Sequence, residues 1–431
     1  MKNLWMFITV AALILTPIWA HAGSNVKRPS LSEKEVSILH LNLIRNHFDT
    51  SQHKRSFFSS GSGLSETLLQ DLGLFLNQYN HLPIAAEALF LKGRILLGQG
   101  EEEAAAIAWL QVLYEHPRSE TAIGAKQRLF ILIENDWDDH AKDINAIIKH
   151  KVKGKKAARL VSLIRQLYKI EDKKLDKALA QLQIQFLYRF PNSRRADEVQ
   201  TLLAHNLATQ SAKSGSFEFE KLLTLYPNSA YRAEALLATA DLQLKPLKQY
   251  DKAASNYKKL VREYPRHKLV KHAYKNLALI QEKHQKDYAG AVQNLSKIIK
   301  LFPKDEMSLW ALQKMADLQE SRLKDPKSAV YTLSKLAKMF PSHKKESIEA
   351  LKDAAKIARK KLKDKDLYKQ MQLQIVKEFS NSDAAPKALY ALADFTEKKL
   401  DNRKDAQNYY LQLIRQYPEH KLAAKARKRR Y

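Results

Sequence analysis

The residues best suited to chemistry stand close together in the segment NDWDDH. It contains three carboxylates and one imidazole, at Asp136, Asp138, Asp139 and His140. Such groups are typical ligands of a divalent cation. A calcium loop also needs a glycine at its sharp turn and a closing glutamate, and Lys142 stands where a ligand would fall. We therefore interpret this segment as a polar junction that precedes a helix.

Other arrangements that support catalysis are missing from the sequence. The 14 histidines are scattered, with no H-E-x-x-H motif, and no serine lies in a G-x-S-x-G motif. The absence of cysteine excludes thiol chemistry and disulfides, and 11 glycines leave little room for phosphate-binding loops. The sequence therefore predicts no enzyme, no catalytic residue, no metal site and no cofactor.

A recurring aromatic–proline pair divides the chain into equal segments. The proline of this pair, called the marker here, stands at Pro117, Pro191, Pro227, Pro265, Pro303, Pro341 and Pro418. Ser380 takes its place in KEFSNS, and the later markers are 36 to 39 residues apart. Asn80 fits one period earlier, and a degenerate copy is expected near His150. A fixed period of this length predicts a solenoid of stacked helix pairs.

Each period contains two helical patterns. At 12, 8, 5 and 1 residues before the marker stand apolar residues such as Ala253, Tyr257, Leu260 and Tyr264. These offsets lie within about 60° of one another around a helix. The helix before the marker, called the second helix, ends there because proline excludes the preceding residue from the α region. A first helix follows each marker, and Ser229 and Ser382 are candidate caps.

Small residues recur at two positions of the first helix, 8 and 13 residues after the marker. They include Ala235, Ala240, Ala273, Ala278, Ala311, Ala316, Ala388 and Ala393. Gly93 occupies the later position in an early copy, and Ala158 the earlier position in the degenerate copy. Small residues in register indicate close approach by neighbouring helices.

These features resemble the tetratricopeptide repeat. The YPNS and YPEH junctions further resemble the envelope subgroup typified by BamD and YbgF/CpoB, over about residues 64–431. The period is nearer 38 than the usual 34 residues, and the lipid-bearing cysteine of BamD is absent. The resemblance implies an all-α solenoid of about nine helix pairs that acts as a scaffold for other proteins.

The N-terminal residues have the pattern of a secretory signal. Lys2 precedes an apolar run that ends at Ala20-His21-Ala22, an A-x-A cleavage site. We expect residues 1–22 to be removed and the product to be periplasmic and not a lipoprotein. An uncleaved anchor is the alternative, since about 17 apolar residues can just span a bilayer.

Residues 23–63 lie outside the repeat period. Ser32 and Glu35 are spaced as a capping box at the start of a helix. The segment SSGSG, at 59–63, predicts a flexible junction before the solenoid of residues 64–431. Within that solenoid we expect irregularity near 135–160 and a basic tail at 425–431.

Positive charge is concentrated in the C-terminal two thirds. Residues 1–150 hold 14 Lys and Arg against 16 Asp and Glu, whereas residues 151–431 hold 60 against 30. This asymmetry predicts an anionic partner. Because of the export signal we expect acidic envelope proteins, or an anionic glycan or lipid surface, and no nucleic acid.

A basic strip is predicted on the second helices, at positions 6 and 3 residues before the marker. Its members are Lys221, Lys259, Arg262, Lys297, Lys300, Lys335, Lys338, Lys377 and Arg415. They centre about 200° from the apolar stripe and therefore face solvent. Like charges three residues apart destabilise a helix by about 0.2–0.5 kcal/mol. The strip is either a surface for an anionic partner or a solvated face without a ligand.

The resemblance implies a second candidate surface, the groove lined by first helices. Its candidate residues are Arg232, Lys268, Lys271, Lys275 and Lys387. Lys271 and Lys275 are one turn apart and could clamp a carboxylate. Two functions follow: a scaffold that binds envelope proteins, for instance in outer-membrane assembly, or a binder of anionic polymer such as polysaccharide or lipopolysaccharide.

Overall fold

The computed structural model describes residues 31–53, 62–136, 140–150 and 153–429, and every regular element in these ranges is helical. The predicted signal peptide and the centre of NDWDDH lie outside them, as do the last two residues of the basic tail. None of the helices in the described part is long and apolar enough to cross a membrane.

The chain divides into two compact units, with the boundary between Leu163 and Ile164. The helices of unit 1 are α1 (Glu33–His53), α2 (Ser62–Tyr79), α3 (Ala85–Gly98), α4 (Glu102–Glu115), α5 (Glu120–Asp136) and α6 (Ala141–Lys149), followed by the N-terminal part of α7 (Lys156–Tyr168). Two residues of the predicted flexible junction, Ser62 and Gly63, are helical as the first residues of α2.

Unit 2 begins within α7 and continues as an alternation of second and first helices. The second helices are α8 (Lys173–Arg189), α10 (Ala212–Leu225), α12 (Tyr250–Glu263), α14 (Tyr288–Leu301), α16 (Pro326–Met339), α18 (Lys365–Glu378) and α20 (Arg403–Gln416). The first helices are α9 (Ala196–Gln210), α11 (Arg232–Leu244), α13 (Val270–Ile280), α15 (Glu306–Asp317), α17 (Lys344–Ile357), α19 (Ala384–Leu400) and the terminal α21 (Lys421–Arg427). One wide π turn extends each of α13, α15 and α17.

The helices from α3 to α20 make up nine consecutive pairs among the described residues. Each helix from α8 to α20 packs against the next one along the chain. The predicted all-α solenoid of about nine helix pairs is therefore confirmed.

The marker junction has one backbone geometry throughout unit 2. Tyr264 precedes a marker proline at φ −129° and ψ 53°, outside the α region, as a pre-proline residue must be. Phe379 precedes Ser380 and still adopts φ −128° and ψ 38°. A local turn also fixes the junction, since the Ser382 amide donates to the Phe379 carbonyl at 3.0 Å. Proline is therefore not essential to end the second helix.

The core of each pair lies where the periodicity predicts it. Ala253, Tyr257 and Leu260, on the apolar stripe of α12, are each 0% exposed. The eight repeated alanines of the first helices are all buried, at 0 to 4% exposure. One position is wrong: Ala158 is exposed, and α7 buries Leu160 instead. The preceding helix, α6, has only nine residues, so the spacing of the other copies does not apply there.

The caps differ partly from the predicted ones. Ser32 and Glu35 form both hydrogen bonds of the capping box, at 2.8 and 3.3 Å. The prediction for Ser229 is wrong because Tyr231 is the N-cap residue of α11, and the Ser229 hydroxyl accepts from the Tyr231 amide in the turn before it. The prediction for Ser382 is wrong because its hydroxyl donates to the Phe379 carbonyl.

In every pair from α7 to α20 except α9 and α10, the turn between the two helices contains a strained residue. A positive φ of 51° to 58° occurs at Glu171, Lys248, Lys286, Lys324, Lys363 and Asp401. This left-handed conformation costs a non-glycine residue about 1–2 kcal/mol. In unit 1 the corresponding turn uses Gly100, at φ 77°. Acidic caps such as Asp287 and Asp325 follow the strained lysine and accept the amides three residues later.

Candidate binding surfaces of the helix pairs

Polar pairs join successive first helices of unit 2 across the repeat boundaries. We call this set the first-helix ladder: Arg165–Glu198, His205–Glu234, Asp241–Asn276, Glu282–Lys314, Glu320–Lys361 and Glu397–Arg429. The partners are 29 to 41 residues apart in sequence, about one period. They meet because equivalent parts of stacked repeats lie side by side.

The most buried carboxylate of the ladder is Glu198, which is 7% exposed. Both nitrogens of one edge of the Arg165 guanidinium donate to it, one of them at 2.6 Å. Arg195 adds a third hydrogen bond at 3.3 Å. A carboxylate so far from water needs such partners, because burying an unpaired charge is strongly unfavourable.

Two further pairs of the ladder join a carboxylate to an aromatic ring system, one through an imidazole and one through a buried phenol. His205 lies 2.8 Å from Glu234, and this hydrogen bond lowers the pKa of Glu234. Asp241 accepts from Asn276 at 3.0 Å and from the hydroxyl of Tyr257 at 2.5 Å. Burial and then the bond to Asp241 raise the pKa of Tyr257. The polar groups at these rungs therefore satisfy one another.

The candidate clamp lysines both contact the following repeat. Lys271 lies 2.5 Å from Asp305 and lowers the pKa of that carboxyl group. Lys275 lies 5.0 Å above the ring of Trp310, a cation–π contact. Burial first, and then the charge of Lys271, lowers the pKa of the neighbouring His272. Lys271 thus already holds a carboxylate of the protein itself.

The other candidate groove residues are placed differently from one another. Arg232 donates to the Leu223 carbonyl at 2.7 Å and to Glu263 at 3.4 Å. Lys387 pairs with Asp383 one turn earlier on the chain. Lys268 is exposed. The structure does not gather these side chains and the clamp lysines around one site.

The basic strip lies at the surface of the second helices. Its exposed members are Lys259, Arg262, Lys297, Lys300, Lys338, Lys377 and Arg415, while Lys221 and Lys335 are half-buried. Two members have partners close by: Lys221 contacts Glu218 at 2.8 Å, and Arg262 contacts Glu263 at 3.3 Å.

A third set of polar contacts, not foreseen from the sequence, fixes the register within a pair. A side chain at the end of the first helix meets one 13 residues later, in Gln243–Asn256, Gln281–Asn294, Gln319–Thr332 and Glu397–Tyr410. The signal is present in the sequence, since glutamine recurs at 243, 281 and 319 at intervals of one period.

The remaining chemical candidate is the polar junction after α5. Residues 137–139 lie outside the described ranges, and His140 precedes α6. In the ranges that the structure describes, no three or more His, Asp or Glu side chains are grouped so that they could hold a metal ion.

Models of the tetratricopeptide repeat match five segments of the chain. One model matches residues 234–267, 273–305, 310–343 and 387–420, and a second matches residues 74–121. No curated protein matches the sequence significantly.

Several solved structures are similar to parts of the chain. A tetratricopeptide repeat protein from Parabacteroides merdae is 16% identical, with 62% of this chain and 97% of that one covered and a TM-score of 0.35. Pseudomonas aeruginosa pilF is 17% identical, with 53% of this chain and 95% of that one covered and a TM-score of 0.33. PilW, described as a type IV pilus biogenesis factor, is 16% identical, with 55% of this chain and 100% of that one covered and a TM-score of 0.31.

The matched segments coincide with helix pairs of the structure, in unit 1 for residues 74–121 and in unit 2 for the other four. Each of the two units therefore contains helix pairs that match models of the tetratricopeptide repeat.

Proposed function

We propose that this protein is an exported, non-catalytic scaffold that binds other proteins of the cell envelope through its repeats. The observation that carries the proposal is the stack of helix pairs with matched tetratricopeptide repeats. Such repeats present extended surfaces made from many similar units. A role in envelope or outer-membrane assembly, as in the BamD and YbgF/CpoB subgroup, is the finer form of the proposal.

The first-helix ladder supports binding of a partner by the face that the first helices form. Its pairs hold successive first helices to one another, as Lys314 does by bonding Glu282 at 2.7 Å. A face that is already ordered loses less conformational entropy when a partner binds. Since many of its charges are paired within the protein, we expect shape and apolar contacts to contribute most of the affinity.

The proposed location is the periplasm, and it depends on the N-terminal sequence alone. Fractionation of cells that express the full chain tests it directly. We expect the protein in the periplasmic fraction, with Gly23 as its first residue. Retention in the cytoplasm, or an intact Met1 terminus in the membrane fraction, would contradict this location.

The scaffold proposal is tested by affinity capture with residues 23–431 from an envelope extract. Elution proceeds in two steps, first with 0.5 M salt and then with denaturant, because salt screens charge attraction at a Debye length of a few ångströms. We expect a discrete protein in the second step. Release of everything in the salt step would contradict binding through apolar contacts.

A second candidate function, binding of an anionic polymer, is favoured by one observation. Basic side chains of consecutive second helices, such as Lys259, Lys297 and Lys338, are all exposed on the same face. Binding to cell-wall polysaccharide or lipopolysaccharide through this face would weaken steeply with salt. Retention on the polymer that is unchanged by 0.5 M salt would exclude this function.

A further inference from the structure

A basic cavity of about 500 Å³ lies between α17, α18 and α19 of unit 2. Five cationic side chains line it: Arg359, Lys363, Lys365, Lys398 and Lys399. They come from the π turn that extends α17, the turn after it, the first residue of α18, and the end of α19. The cavity is distinct from the basic strip, because none of its residues belongs to the strip.

The two carboxylates of the cavity are already engaged. Asp364 caps α18, where it accepts the backbone amides of Asp366 and Leu367 at 3.1 and 2.9 Å. Asp394 pairs with Lys398 at 2.6 Å. The cavity therefore keeps an excess of three positive charges, which favours an anionic ligand.

The floor of the cavity is aromatic. The rings of Tyr368 and Phe395 meet with centroids 4.5 Å apart, and Tyr368 is only 4% exposed. The guanidinium of Arg359 lies 5.7 Å from the centroid of the Tyr368 ring. Because Phe395 is only half-buried, a flat apolar group could lie against its ring, with charged neighbours directed at the surrounding cations.

One cation of the cavity is held by a strained backbone. Lys363 has a φ of 54°, a conformation that glycine adopts without the penalty that lysine incurs. The equivalent turns of other repeats adopt the same conformation, as at Lys286 and Lys324, so the strain belongs to the fold and is not specific to the cavity. It also provides a variant that removes the charge without disturbing the fold.

We propose that this cavity binds an acidic segment of a partner protein that carries an aromatic side chain. The aromatic ring contacts Phe395, which the buried Tyr368 supports from below, and carboxylates on either side pair with Lys363, Lys399 and Arg359. The inference rests on the proposed scaffold function and names the chemistry of one of its partners.

The test uses residues 23–431 and a synthetic peptide of aspartate and glutamate with one central phenylalanine. Fluorescence anisotropy measures its affinity at about 0.15 M salt. We expect Lys363→Gly to weaken binding about threefold, the effect of one exposed charge pair, and Lys363→Gly with Lys399→Ala about tenfold. The matched control is Lys286→Gly, which changes the same charge at φ 58° outside the cavity and should leave the affinity unchanged.

A second peptide, with serine in place of phenylalanine, tests the aromatic floor. We expect it to bind the unchanged protein about tenfold more weakly, because it loses the ring contact. Equal affinities for the two peptides, or equal losses in Lys363→Gly and Lys286→Gly, would overturn the proposal in favour of general attraction to polyanions. A different outcome separates this proposal from the scaffold function. If the peptides show no such differences in affinity while an envelope protein still stays bound to residues 23–431 in 0.5 M salt, the cavity assignment is wrong and the scaffold function stands.

Discussion

The two faces of unit 2 carry basic residues at similar intervals but in opposite surroundings. On the first helices, Lys314 contacts Glu282 of the preceding repeat at 2.7 Å and is 25% exposed. On the second helices, Lys297 and Lys300 are exposed one turn apart. Periodic charge therefore has two meanings in one repeat array: on one face it joins the repeats, and on the other it is presented to solvent.

The largest difference in stability between the two faces is expected when a buried carboxylate is removed from the first-helix ladder. We expect Glu198→Gln to lower the free energy of unfolding by about 1–3 kcal/mol, because it leaves Arg165 without its charged partner. The half-exposed position of Arg165, at 42%, keeps the loss below that of a fully buried pair. Chemical unfolding measures it. Lys300→Gln is the control, and an equal effect of both would contradict a special role for the ladder.

The turn between the two faces gives a prediction of opposite sign. We expect Lys286→Gly to raise the free energy of unfolding by about 1 kcal/mol, because glycine relieves the strain at φ 58°. The same change in an exposed helix, Lys297→Gly, should lower it by about 1 kcal/mol. Thermal unfolding of the two variants makes the comparison. Destabilisation by both would show that the turn is not strained.

The basic strip should contribute little to stability, and its contribution should be unfavourable. We expect Lys297→Gln with Lys300→Gln to stabilise the protein by about 0.2–0.5 kcal/mol, because it removes a repulsive pair. Modest salt should raise the melting temperature of the unchanged protein more than that of the double variant. A falling melting temperature in both would contradict repulsion along the strip.

The smallest expected effect is a change of pKa at one inter-repeat pair. The hydrogen bond from Lys271 is the largest cause that lowers the pKa of Asp305. We expect Lys271→Met to raise this pKa towards its ordinary value of 3.8, as followed by NMR titration. A lowered pKa stabilises the fold above the ordinary value and loses that effect as the pH falls through the lowered one. The difference in unfolding free energy between the unchanged protein and Lys271→Met should therefore narrow at acid pH. An unchanged pKa of Asp305 in the variant would exclude the pairing of Lys271 with Asp305.

Periodicity predicts which residues of each helix are buried, because burial depends only on the position of a residue around its own helix. The apolar stripe that includes Tyr257 and the alanines at 235 and 240 follow from spacing alone, since each must face a neighbouring helix. The ladder does not follow, because Glu282 and Lys314 meet only at a particular rotation between successive repeats. The basic cavity is missed for the same reason, since its walls come from separate elements. The left-handed Lys363 could not be expected either, because glycine is the residue that such a turn favours.

The central claim, that charges of the first helices join successive repeats, is tested most directly by a double-mutant cycle at Glu282 and Lys314. Glu282→Gln, Lys314→Gln and the double variant are compared with the unchanged protein by chemical unfolding. The account predicts a coupling energy of about 0.5–1 kcal/mol between the two sites. Additivity of the two single effects, to within about 0.3 kcal/mol, would contradict it.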